Sequence, residues 1–136
     1  MDDKDRLNGL TEQIIGAAIK VHRVVGPGLL ESAYENALKF ELEKLNFQVD
    51  QQLSLPFIYE DIRLEAGYRI DLMVNKLVII EIKSVEYLLP VHFAQLLTYL
   101  RLTDIKLGLL INFNTAVLKE GIHRVVNNLG KDVIEK

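Results

Sequence analysis

Acidic side chains inside apolar strands are rare enough to mark where chemistry is carried. Asp71 sits among Ile70, Leu72, Met73 and Val74, and Glu81 directly follows the run Leu77-Val78-Ile79-Ile80. Lys83 is two residues beyond Glu81, so the two side chains point to one face of a strand. A third acid, Glu31, shares a helix face with Tyr34, Leu38 and Leu45. Two carboxylates held a few ångströms apart repel unless a cation or proton lies between them. A hard divalent ion such as Mg²⁺ suits an all-oxygen site, taking one or two carboxylates plus waters and substrate phosphate oxygens. Such an ion polarises a phosphoryl group and activates a water, while Lys83 orients that water or stabilises developing charge. That is the chemistry of metal-dependent phosphodiester hydrolysis. Each feature also has a structural reading: Glu31 as a first-turn acid favoured by the helix dipole, and Glu81 with Lys83 as an ion pair at the rim of a sheet.

Whether Asp71 and Glu81 meet depends on the elements that carry them. Apolar residues at Ile14, Ala18, Val21 and Val25 predict an amphipathic helix over Leu10–Val25, with Thr11 as N-cap. Gly26-Pro27-Gly28 breaks it, and a second helix follows over Leu29–Leu45, ending at Asn46. From Phe47 the period changes to two, and strands follow to Leu55 and, past Pro56 and Glu60-Asp61, over Gly67–Val74 and Leu77–Ile80. A two-residue Asn75-Lys76 turn would put Asp71 and Glu81 on opposite faces. A three-residue Asn75-Lys76-Leu77 loop pairs Val74 with Val78 and sets Asp71 opposite Glu81, so this loop or an equivalent bulge is expected. Pro90–Leu102 reads as a third helix burying Phe93, Leu96, Leu97 and Leu100. Lys106–Phe113 reads as a strand buried on both faces. Val117–Ile134 fits either a final strand or a short helix. The sum is a single α/β domain with a mixed sheet flanked by helices, its first nine residues expected to be flexible.

Composition narrows the partners. The chain has 136 residues, 49% of them apolar and 26% charged, enough for one core. It contains no cysteine, which removes disulfide scaffolds, thiolate metal sites and cysteine nucleophiles together. No apolar stretch reaches the roughly 18 to 20 residues of a membrane span, and the acidic start Met1-Asp2-Asp3-Lys4-Asp5 is unlike a secretory signal. A cytoplasmic protein with no membrane partner is therefore expected. The net charge of −3 argues against a broad nucleic-acid coat and for a local site.

In this order the residues resemble a known group of enzymes. Asp71 followed by Glu81-Ile82-Lys83, after an acid on a preceding helix, is similar to the PD-(D/E)XK nuclease superfamily. Gly28-Leu29-Leu30-Glu31-Ser32-Ala33-Tyr34 resembles the signature of its GxxExxY branch. The likeness spans about residues 10–128, with Ile70-Asp71 where the superfamily has Pro-Asp. It implies an αβββαβ restriction-endonuclease-like core preceded by an extra N-terminal helix. It further implies Glu31, Asp71 and Glu81 as metal ligands, Lys83 as catalytic lysine, and Mg²⁺ as cofactor with Mn²⁺ as a substitute. Gln95-Leu96-Leu97-Thr98-Tyr99 resembles the Q-x-x-x-Y element of the RecB-like exonuclease branch, which implies Gln95 near the metal and Tyr99 at the substrate. Arg69 flanks Asp71 with the same facing and is either a phosphate contact or a solvated rim residue. His22 precedes the glycine turn and is either a cleft residue or structural. Gly28 is read as a hinge aiming the Glu31 helix, and Tyr34 as a core wedge. The expected activity is Mg²⁺-dependent hydrolysis of DNA phosphodiester bonds, at ends or single strands, with a homodimer or larger protein partner helping to grip the substrate. The alternative is a non-catalytic nucleic-acid-binding or protein-interaction module on the same fold.

Overall fold

The switch from helical to two-residue periodicity divides the chain, in a computed structural model that describes residues 2–128 and 131–135. Two helices come first, α1 (Asp3–Val25) and α2 (Glu31–Lys44), then three strands, β1 (Val49–Tyr59), β2 (Ile62–Val74) and β3 (Val78–Lys83). The third helix α3 (Pro90–Thr103) crosses to β4 (Leu107–Asn112), and a 3₁₀ turn at Leu118–Gly121 leads into β5 (Ile122–Asn128) and β6 (Lys131–Glu135). The strands form one sheet in sequence order. Only β3 and β4 run parallel; the other neighbours are antiparallel. A parallel pair needs a long crossover, and α3 supplies it. The αβββαβ core is present, with α1 as the added N-terminal helix.

Alternation along β3 and β4 feeds two cores. Leu72, Ile80, Ile82, Leu109 and Ile111 face α1 and α2, where they meet Ile14, Ala18, Tyr34, Leu38 and Leu42. Met73, Ile79 and Leu110 face α3, against Leu96, Tyr99 and Leu100. All six residues of β4 are buried, as the unbroken apolar run predicts for a strand covered on both faces.

Two expectations change. α1 begins at Asp3 rather than near Leu10, because the Asp2 side chain accepts the Asp5 N–H at 2.8 Å and Asp3 and Asp5 suit the positive end of the helix. Thr11, read as the cap, lies inside the helix and its hydroxyl donates to the Leu7 carbonyl at 2.6 Å. The segment read as strand or helix contains both, the 3₁₀ turn and then β5, and β6 extends the sheet beyond the expected last strand.

Tyr34 joins this architecture to the glycine break. Its ring stacks on Phe113 with centroids 4.4 Å apart. Its hydroxyl donates to the Gly26 carbonyl and accepts the Leu29 N–H, so the Gly26–Leu29 turn is fastened to the core. Gly28 there has φ 94°, a backbone that side-chain-bearing residues rarely adopt.

Two glycines give opposite expectations. A methyl group at Gly121 would collide with the Asn112 carbonyl, whereas one at helical Gly16 would meet nothing within 4 Å. Gly121→Ala should destabilise by about 2 kcal/mol or more, and Gly16→Ala should stabilise by about 0.5 to 1 kcal/mol. Urea denaturation of both variants checks the pair.

Candidate functional site

The β2–β3 turn fixes which acids can meet. Asn75 and Lys76 take left-handed backbones, φ 52° and 55°, and the Leu77 N–H closes the turn on the Val74 carbonyl at 2.9 Å. Asn75 tolerates that conformation, and its side-chain oxygen also accepts the Gln48 N–H at 2.8 Å. Val74 pairs with Val78, Met73 with Ile79 and Leu72 with Ile80, the register of a three-residue loop. One step further sets Asp71 against Glu81.

At that step side chains replace the ladder. The Asp71 N–H donates to Glu81 Oε2 at 2.8 Å, and the Ile82 N–H donates to Asp71 Oδ2 at 2.8 Å. Each carboxylate accepts a backbone N–H from the opposite strand, and the backbone pairing of β2 with β3 ends there. Glu81 is 3% exposed. Burial, reinforced by the Asp71 charge, pushes its carboxyl up to about 8, against the pull of the Asp71 N–H and the Lys83 charge. Burial also raises Asp71, against the Ile82 N–H and Lys83. Among the described residues Lys83 forms no ion pair, so the rim ion-pair reading of Glu81 with Lys83 does not hold; its ammonium acts on both carboxylates through space.

The other residues singled out divide into two groups. Glu31, at the start of α2, accepts the Ser84 N–H at 3.2 Å beside Lys83, and its charge is felt at Asp71. The Ser84 hydroxyl donates to the Leu29 carbonyl at 2.7 Å, tying the glycine turn to the end of β3. Tyr99 on α3 is buried, and its hydroxyl receives the Arg69 N–H at 3.4 Å. Burial raises its phenol, and the Glu81 and Asp71 charges add to the shift. Arg69 is exposed two residues before Asp71; Gln95 is half-buried one turn before Tyr99 and makes no hydrogen bond among the described residues. His22 stands apart. Its ring nitrogen Nε2 bonds the Thr115 carbonyl at 2.7 Å under α1, and it is not among the groups that act on Asp71 or Glu81.

Three polar residues escaped the sequence reading. Glu35, one turn after Glu31, is a buried acid on the site side of α2, raised by burial and by the Asp71 charge. Gln51 and Gln52 on β1 hold it with their amides at 2.7 and 2.8 Å. The four-residue spacing from Glu31 was the available signal for Glu35; strand alternation hid the glutamines. Among the described residues no three His, Asp or Glu side chains are grouped to hold a metal ion. The donor chemistry nonetheless fits one: all-oxygen, crowded with negative charge, and with one acid pushed up by burial and a neighbouring carboxylate.

The Glu81 shift has a sign that stability measurements read. The native state keeps a proton that the unfolded chain releases from about 4.5 upward, so metal-free stability should fall as pH rises from that value to about 8. The total loss is on the order of a few kcal/mol. Glu81→Gln should flatten this slope in urea denaturation with chelator present; an undiminished slope would assign the proton elsewhere.

The comparisons with known proteins bear on the whole domain. No curated protein and no solved structure was similar enough to add to them. A family model described as the PD-(D/E)XK nuclease superfamily matches residues 8–125, from α1 into β5, and so contains every strand and helix that carries the acids, Lys83 and Tyr99. The chain therefore belongs to the PD-(D/E)XK nuclease superfamily.

Proposed function

We propose that this domain hydrolyses DNA phosphodiester bonds with the aid of a divalent cation. The observation that carries the reading is the opposed pair of half-buried Asp71 and buried Glu81, mutually repelling and next to Lys83. Asp71 and Glu81 would hold Mg²⁺ or Mn²⁺, with Glu31 contributing from the α2 side. An ion bound there supplies a Lewis acid for the phosphoryl group and lowers the pKa of a bound water.

The chain's own groups do the rest. Glu81 must release its proton before it can ligate, so cation binding displaces a proton near neutral pH. Lys83 brings a positive charge to the phosphoryl oxygens, where charge accumulates in the transition state. Arg69, exposed two residues before Asp71, would meet the phosphate backbone, and Tyr99 and Gln95 of α3 would support that substrate-binding role. The Gly28, Glu31 and Tyr34 spacing supports membership of the GxxExxY branch. Tyr34 fastens the glycine turn, and the Ser84 bonds fix Glu31 at the strand end, which gives the signature a mechanical role. With a net charge of −3, intrinsic DNA affinity is weak, which favours ends or single strands and a homodimer or protein partner in the cytoplasm.

Incubation with linear, circular and single-stranded DNA plus Mn²⁺ tests the proposal. Wild type should degrade at least one of them, and Lys83→Ala and Asp71→Ala should each lose about 10²-fold or more. Equal degradation by all three proteins would trace the activity to a contaminant. Mn²⁺ binding without cleavage of any DNA would leave a non-catalytic module.

A further inference from the structure

A regular strand sends successive side chains to opposite faces, yet Gln51 and Gln52 of β1 grip the same carboxylate. Gln51 Nε2 donates to Glu35 Oε2 at 2.7 Å and to Asn36 Oδ1 at 2.7 Å. Gln52 Nε2 donates to Glu35 Oε1 at 2.8 Å and to Asp71 Oδ1 at 3.2 Å. An amide nitrogen has two hydrogens, and each glutamine commits both. The break in alternation is a left-handed backbone at Gln52, φ 53°.

That backbone has no local excuse. Among the described residues, the other left-handed non-glycine positions lie at hairpin turns (Glu60, Asp61, Asn75, Lys76) or just after helices (Asn46, Asp104). Gln52 alone is inside a strand, and the register continues across it, Gln51 with Leu72 and Leu53 with Ile70, so no inserted residue forces the kink. A left-handed conformation costs an ordinary side chain about 1 to 2 kcal/mol, and such strain persists where the surroundings over-determine it, often at functional sites. What it achieves here is to aim one amide between an acid of α2 and an acid of β2.

We propose that Gln52 is a positioning residue of the cation site, its single amide bracing the Asp71 carboxylate against Glu35 and so fixing the orientation of Asp71. Asp71 is thereby held at both oxygens, Oδ2 by the Ile82 N–H and Oδ1 by Gln52, and Glu35 at both of its own. The inference rests on the cation-binding reading above.

Two variants separate positioning from mere folding. Gln52→Gly relaxes the backbone and removes the amide; Gln52→Asn tolerates the left-handed backbone and keeps an amide too short to bridge. Both should retain or gain thermal stability while weakening Mn²⁺ binding by calorimetry about 10-fold or more, the scale typical for partners that orient ligands. In wild type the Gln52 side-chain NH₂ resonances should shift in both Asp71→Asn and Glu35→Gln. Mn²⁺ affinity unchanged in both Gln52 variants, in a wild type whose binding Asp71→Ala abolishes, would overturn the positioning role and leave the cation site standing. Absence of Mn²⁺ binding in wild type would instead remove the site and the positioning role together.

Discussion

Between β2 and β3 two carboxylates take backbone N–H groups across the strands at the point where the ladder ends, and the arrangement of the acidic site follows from that exchange. Asp71 and Glu81 each take a backbone N–H from the opposite strand. Buried donors must be satisfied, so these bonds hold the acids in place even though their charges oppose each other. The backbone ladder ends at Leu72 and Ile80, and these two side-chain bonds carry the contact one step further. Burial and the Asp71 charge then push the Glu81 carboxyl up to about 8.

The exchange depends on parity. One residue more or fewer between Val74 and Val78 would turn either Asp71 or Glu81 to the other face. Asn75 secures the three-residue loop by its tolerance of a left-handed backbone and by its bond to Gln48 on the chain entering β1. On the far side of the site Ser84 repeats the tactic, tying the glycine turn and Glu31 to the end of β3. The Asn112 amide fastens the following segment by bonding both the N–H and the carbonyl of Val85. Helix, hairpin and loop thus converge on β3 through short polar bonds, while the apolar cores on either side keep the sheet rigid.

Much of this was legible in the sequence because it obeys simple periods. Acids in apolar strands, the parity of the loop and the unbroken Leu107–Ile111 run all lead to observed features. The residues that eluded it break a period. Gln51 and Gln52 belong to opposite faces by alternation and share one only through a backbone kink that no residue type announces, since glutamine is not a usual left-handed residue. Glu35 reads as one more surface acid until the kink brings β1 over it. The start of α1 was masked by Thr11, a good cap by type that lies inside the helix, while Asp2 serves as cap. His22 illustrates the reverse: proximity in sequence to Glu31 did not carry its ring to the acids, because the Thr115 carbonyl engages it.

Past Leu72, β2 is no longer paired with β3, while β1 and β2 remain paired out to Tyr59 and Ile62. Residues 53–70 are a two-stranded ribbon whose base packs on the α3 core through Leu55, Tyr68 and Ile70, while Ile58, Tyr59, Ile62 and Leu64 at its far end are exposed. Asp71 is the last residue before the ribbon begins, with Tyr68 seated edge-on against Tyr99 beside it. The acidic pair therefore sits where the β2–β3 ladder gives way to a ribbon that runs out from the core to an exposed end of lower local stability.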